Sequence, residues 1–162
     1  MTTKSEKYTF FWDGVFSQWY PSFFKLEDRR FNCAEQYMMY QKAITFGDKD
    51  SSDRIMDCAN PSIQKKMGKL VKGYDEEVWK GIREEIVYTG NYEKFRQNLK
   101  LYEELKATKG TVLVEASPYD LIWGVGLAED DPRILNRRNW RGQNLLGKIL
   151  TKLREDTENG FN

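Results

Sequence analysis

Histidine is absent from all 162 residues. That removes the usual general base near neutral pH, the Ser-His and Cys-His nucleophile systems, and most zinc or non-haem iron sites. Any catalysis must therefore run on carboxylates, lysine, tyrosine or backbone donors. Cysteine is scarce too: Cys33 and Cys58 stand alone, which excludes a disulfide framework and a thiolate metal pair. Both are expected to be reduced, half-buried packing residues in helical segments. No stretch approaches the roughly 18 consecutive apolar residues of a membrane span, and MTTKSEKYTFFWDG contains no secretion-signal run, so the expectation is a cytoplasmic protein with no membrane partner. An excess of one charge is also missing. Lys plus Arg number 26 against 25 Asp plus Glu, and bulk electrostatics supply no strong pull toward nucleic acid.

What is present is a globular composition, 40% hydrophobic and 31% charged, with no internal repeat and no Pro/Gly/Ser linker. One domain over 1-162 is expected, its core running from about Phe10 to about Arg154 and its ends frayed. YTFFWDGVFSQWYPSFFKLEDRRF is aromatic and broken by turn residues, as suits short strands and a hairpin around Glu27-Asp28-Arg29. Helical periodicity begins after Asn32, which is expected to cap a helix with Glu35 at its third position, and ends at Gly47. SSDRIMDCAN and PSIQKKMGKLV read as short helices on either side of the Asn60-Pro61 step. YDEEVWKGIREEIVYTG presents Val78, Trp79, Ile82 and Ile86 at helical spacing, and NYEKFRQNLKLYEELKATKG is helical again. TVLVEAS is a strand, SPYDLIWGVGL a loop, and GQNLLGKILTKLRED a closing amphipathic helix. The fold class is mainly α (α+β), with a small β-sheet.

Four concentrations of residues suggest chemistry. Glu35 and Lys42 are seven residues apart on one helix, about 20° apart around it and roughly 10 Å along it, too far for an ion pair with each other. They read either as a capping acid and a snorkelling lysine or as two groups lining a cleft. In the second case, burial among Tyr37, Met38, Met39 and Tyr40 would lower the lysine pKa and leave a nucleophilic amine. In DLIWGVGL, Asp120 offers an acceptor, Trp123 a stacking face, and Gly124 and Gly126 a backbone that a ligand can approach; an ordinary turn around a core tryptophan is the other reading. In WRGQNLLGKIL, Arg141 and free N-H groups near Gly142, Asn144 and Gly147 could receive an anion such as phosphate, or Gln143-Asn144 could simply cap the helix. Lys69, among the lysines of PSIQKKMGKLVKG, could steer a phosphate-bearing ligand or lie on a solvated face.

EQYMMYQKAITFGD, PSIQKKMGKLVKGYDEEVWKGIREEIV, KFRQN, LVEASPYDLIWGVGL and WRGQNLLGKIL, in this order, resemble the NADAR family, the YbiA-like N-glycosidases. The resemblance implies a compact multihelical domain that hydrolyses the bond between ribose C1′ and a nitrogen. Its substrates would be ADP-ribosylated guanine, on a metabolite or a nucleic acid, or the phosphate-bearing ribosylaminopyrimidines of early riboflavin biosynthesis. It implies Lys42 as Schiff-base nucleophile, Glu35 as proton carrier and Asp120 as the group orienting the ribose hydroxyls. Trp123 or Trp79 would stack on the base, with Gly124, Gly126, Asn144, Lys69, Trp19 and Arg141 also lining the substrate site. Lys94, Phe95, Glu115 and Gly147 match other recurring positions. At Gln18-Trp19 many relatives carry Ser-Asn-Phe, and Lys69 replaces a frequent arginine. No cofactor and no metal are implied. The competing class is a non-catalytic ADP-ribose or nucleotide-binding module, which would tolerate Lys42→Met.

Overall fold

Glu27 and Asp28 adopt positive φ, 51° and 63°, and so form the tight turn that a right-twisted two-stranded hairpin favours. Strands β2 (Phe24–Leu26) and β3 (Arg29–Phe31) pair antiparallel around it. The other strand pair is parallel, β1 (Tyr8–Phe11) with β4 (Val112–Glu115), in the register Tyr8 to Val112 through Phe11 to Glu115. The expected small sheet is thus two separate two-stranded sheets. Six helices make up most of the rest: α1 (Ala34–Thr45), α2 (Lys49–Asp57), α3 (Pro61–Lys69), α4 (Glu76–Arg96), α5 (Leu99–Lys106) and α6 (Leu145–Asp156). The computed structural model describes residues 6–161. These residues divide into two compact units, Gln18–Leu99 and the remainder on either side of it in sequence.

In the Gln18–Leu99 unit the core is aromatic. Phe24 stacks on Phe31 at 5.5 Å between ring centroids, and Tyr37 and Tyr40 set their edges against Phe31 at 5.1 and 5.6 Å. Helix α1 is buried continuously from Ala34 to Tyr40, and two glycines let its neighbours come close. A Cβ at Gly68 of α3 would overlap the Met39 thioether, and one at Gly90 of α4 would lie 2.7 Å from the Tyr37 ring. Gly90 therefore sits inside a continuous α4 as a packing notch, and the break expected before Asn91 falls instead at Gln97-Asn98.

Several local expectations need correction. The residue capping α1 is Cys33, not Asn32, and its side chain makes no capping bond. The back-bond of the capping arrangement exists one position later: Gln36 Oε1 accepts from Asn32 N at 2.7 Å, while the Asn32 amide joins Ala59 and Gln64. Cys33 is buried rather than half-buried; its thiol donates to Gln64 Oε1 at 3.3 Å, and burial pushes its pKa up to about 11. The C-terminal tail is docked as far as Phe161, the last described residue. The Tyr102 hydroxyl donates to the Thr157 carbonyl at 2.7 Å, and the Phe161 ring lies 4.6 Å from that of Tyr102. Val78 is 46% exposed, because the buried face of α4 runs through Trp79, Arg83, Val87, Asn91 and Lys94.

In the other unit, Val114, Ala116, Val125, Leu127 and Ile134 form a core that Tyr8, Phe10 and Trp140 cover. Arg154 on α6 donates to the carbonyls of Thr108 and Thr111 at 2.8 and 2.6 Å, fixing the turn before β4. A Cβ at Gly147 would overlap the Leu113 carbonyl and the Asn144 amide. Gly147→Ala is therefore expected to lower unfolding free energy by about 1–3 kcal/mol. Gly81→Ala, on α4 with open space around it, should be neutral or stabilise by up to about 1 kcal/mol. Urea denaturation of the two variants checks both signs.

Candidate active site

Helix α1 carries the first group of candidate residues. Glu35 is buried, and its backbone N-H donates to the Gln18 carbonyl at 3.0 Å. Two turns on, Lys42 is half-buried. Its Nζ lies 4.6 Å from the ring centroid of Tyr74 and 5.9 Å from that of Trp79. Trp79 is held by α4, whose first turn Asp75 caps with bonds from Glu77 N and Val78 N at 3.0 and 3.2 Å. Among the described residues the Lys42 amine makes no hydrogen bond or ion pair, so aromatic faces stand where a carboxylate usually would. Burial lowers its pKa from the ordinary lysine value; the charge of Glu35 opposes that drop and the charge of Lys69 adds to it. Lys69 itself is exposed at the end of α3. Glu35, Lys42, Lys69 and Trp79 thus act on one locality, although Glu35 and Lys42 are two turns apart. Trp19, in the same unit, is 43% exposed.

Two further polar residues of this unit are buried: Lys94, which the family resemblance names without a role, and Asn91, which no motif singles out. Lys94 is fully buried, and burial pushes its pKa down to about 7, against a smaller opposing effect of the Cys33 thiol. It stands near the same thiol that the Glu35 charge reaches. Asn91 is fully buried and donates to Gln18 Oε1 and to the Val87 carbonyl, both at 2.8 Å. The available signal was the 79-83-87-91 spacing, one residue per helical turn, which a search for apolar side chains alone passes over.

The second unit carries the remaining candidates. Asp120 is partly buried, and its Oδ1 accepts from Ile122 N and Trp123 N at 2.9 and 2.8 Å, the Asx arrangement that folds the loop. Gly124 is buried so tightly that a Cβ would stand 3.0 Å from both the Glu115 carbonyl oxygen and the Ser117 Cβ. Gly126 has φ 72° and would press a Cβ onto Leu121 and Arg141. Gly126, Arg141, Asp131 and Arg133 line a shallow groove of about 580 Å³.

The anion site expected at the start of α6 is not available. Backbone N-H groups of Gln143, Asn144, Leu145 and Leu146 donate to the carbonyls of Leu121, Gly124, Ile122 and Trp123 at 2.9–3.2 Å. The DLIWG loop fills the helix terminus that a phosphate would need. Asn144, left-handed at φ 55°, directs its amide to β4, donating to the Leu113 carbonyl and accepting from Glu115 N, both at 3.0 Å. Its side chain shapes the loop and strand.

Among the described residues no three His, Cys, Asp or Glu side chains group to hold a metal ion, and no helix is long and apolar enough to cross a membrane. The chain is 38% identical to N-glycosidase R617 of Acanthamoeba polyphaga mimivirus, over 96% of this chain and 99% of that one. It is 28% identical to the chloroplastic riboflavin biosynthesis protein PYRR of Zea mays, over 90% of this chain and 24% of that protein. The solution structure of the E. coli protein YbiA superposes with a TM-score of 0.77 at 24% identity, covering 95% of this chain and 86% of the other, a likeness of fold. The NADAR domain model matches residues 9–157. The chain belongs to the NADAR family.

Proposed function

We propose that this chain is an N-glycosidase that cleaves the ribose C1′-N bond of a guanine-like base through a Schiff base on Lys42. The activity class rests on family membership and on the viral relative named as an N-glycosidase. The observation that carries the mechanism is the Lys42 amine: half-buried, against two aromatic rings, without an ion pair among the described residues, and with its pKa lowered by burial. Such an amine is neutral more often than a solvated lysine and retains its lone pair for attack.

The steps balance without a metal or a redox partner. In the ring-opened substrate, C1′ is bonded to the base nitrogen as an imine. That imine takes up a proton carried by Glu35; the Nζ lone pair then adds to C1′, one Nζ proton passes to the base nitrogen, the C1′-N bond breaks, and the base leaves as its neutral amine. The positive charge stays on Nζ as an iminium. Water then adds to C1′, and Nζ departs as the amine with the electrons of its bond, leaving the free sugar aldehyde. Glu35 is the proton carrier beside Lys42, supported by its burial and by the reach of its charge to Nζ. Asp120, as orienter of ribose hydroxyls, and Trp123, as stacking group, carry over from the family resemblance. The substrate is either ADP-ribosylated guanine or a riboflavin-pathway ribosylaminopyrimidine phosphate; the riboflavin-protein relative supports the second.

Lys42→Ala should reduce release of free base by a thousandfold or more, on the order seen when a nucleophile is removed. Borohydride added during turnover should fix a sugar adduct on the wild type alone. Near-normal turnover of Lys42→Ala in a mass-spectrometric assay on both substrates would overturn the Schiff base and favour direct carboxylate chemistry.

The pH dependence has a definite sign. Activity requires neutral Lys42, so kcat/KM should rise with pH through a limb whose midpoint lies below the ordinary lysine value of about 10.4. Lys69 disfavours the ammonium; its removal stabilises the charged form and raises the pKa. The Lys69→Gln profile should therefore move to higher pH, and a midpoint that stays or falls refutes the coupling.

A further inference from the structure

Among the described residues Tyr74 is the aromatic ring nearest the Lys42 amine, and although it lies within PSIQKKMGKLVKGYDEEVWKGIREEIV the sequence assigns it no role. Its ring centroid is 4.6 Å from Nζ, closer than the 5.9 Å of Trp79. The placement is built from several sides. Tyr74 lies in the turn between α3 and α4, immediately before the Asp75 cap. Lys72 N donates to Asp48 Oδ2 at 2.9 Å, and that carboxylate also caps α2 through Ser51 N at 3.1 Å, bonds that push its pKa down to about 2. Gly73 takes φ 80° where a Cβ would stand 3.3 Å from the Phe46 carbonyl oxygen, and the Phe46 ring meets Tyr74 edge-on at 5.5 Å. The segment is thus tied at Lys72, Gly73 and Asp75, on both sides of the tyrosine.

We propose that Tyr74 is a positioning residue for the glycosidase reaction, its ring face stabilising the positive charge that Lys42 Nζ carries as the resting ammonium and again as the iminium. This rests on the Schiff-base reading of Lys42. A ring quadrupole attracts a cation strongly and a neutral amine hardly at all. During turnover the nitrogen is neutral when it attacks and cationic once the base has left, with the charge formed at the atom that already faces the ring. The interaction is therefore stronger in the cationic intermediate, and in the transition state leading to it, than in the attacking form. The same contact opposes the lowering of the Lys42 pKa by burial. The other charges acting on that amine, Glu35 from α1 and Lys69 from α3, are left in place by any change at Tyr74.

The test is a series at position 74 of Phe and its mono-, di- and trifluorinated analogues, which keep ring shape while removing the quadrupole stepwise. Tyr74→Phe should stay within about twofold of wild type, because the ring and not the hydroxyl is the working group. At a pH on the upper plateau of the profile, where the resting amine is neutral, kcat and the borohydride-trapped fraction should fall stepwise across the fluorinated members, to about tenfold below the Phe enzyme for the trifluoro ring. The Lys42 pKa, read by NMR of labelled lysine, should fall in step. A flat pKa across the series overturns the contact, and a falling pKa with flat trapping and flat kcat overturns its role in the reaction. An enzyme that turns over yet yields no adduct with the natural tyrosine would sink the Schiff base itself, and with it the iminium half of this proposal, while the pKa series still reads the ammonium contact.

Discussion

Continuous burial of α1 over Ala34 to Tyr40 is the constraint that the Gln18–Leu99 unit is arranged to satisfy. A helix with no watered face over two turns needs neighbours that approach its backbone, and glycines at Gly68 and Gly90 permit this. It also needs protein partners for whatever polar atoms it carries. The Gln36 amide meets this by donating to the Ile55, Met56 and Cys58 carbonyls at 3.1–3.3 Å, closing the open end of α2 in the process. Burial that would be a plain cost for polar groups in the core lowers, at Lys42, the affinity of the amine for its proton.

Lys42 shows how the balance is struck. Full burial, as at Lys94, pushes the pKa of a lysine down to about 7, whereas full hydration leaves the amine charged near neutrality. Partial burial, one acid two turns away, one like charge on α3 and the faces of two aromatic rings place it between these limits.

Much of the architecture was legible because punctuation residues have local causes. The positive-φ turn at Glu27-Asp28, the Gly47 stop and the Pro61 start each depend on a few neighbouring atoms, and the helices between them followed. Lys42 and Glu35 could be placed on one helix face from their spacing, and Trp79 on the buried face of α4 from its register, whereas the roles proposed for them come from the family resemblance. Tyr74 could not be placed in this way, since nothing in its neighbours announces that the turn holding it folds back over α1. Asn32 misled for a related reason: its amide is a good cap in isolation, but Ala59 and Gln64, far along the chain, take it. Asn91 was not singled out, and Lys94 was named by the family resemblance alone, because polar residues on a helix usually face water and only the packing of α4 against α1 reverses that. The α6 terminus was misread because its N-H groups are taken by carbonyls some twenty residues earlier.

The side-chain bonds from α6 to β4 have a consequence for the protein at high concentration. A two-stranded parallel sheet leaves each strand one open edge, and such edges recruit strands from other molecules. On β4, Thr151 Oγ1 accepts from Leu113 N at 2.9 Å, and the Asn144 amide engages the Leu113 carbonyl and Glu115 N. Two side chains of a helix thus imitate a third strand. The backbone groups that would template aggregation are occupied from within the same chain, so the strand that carries Glu115 toward the Asp120 loop also resists sheet extension between copies.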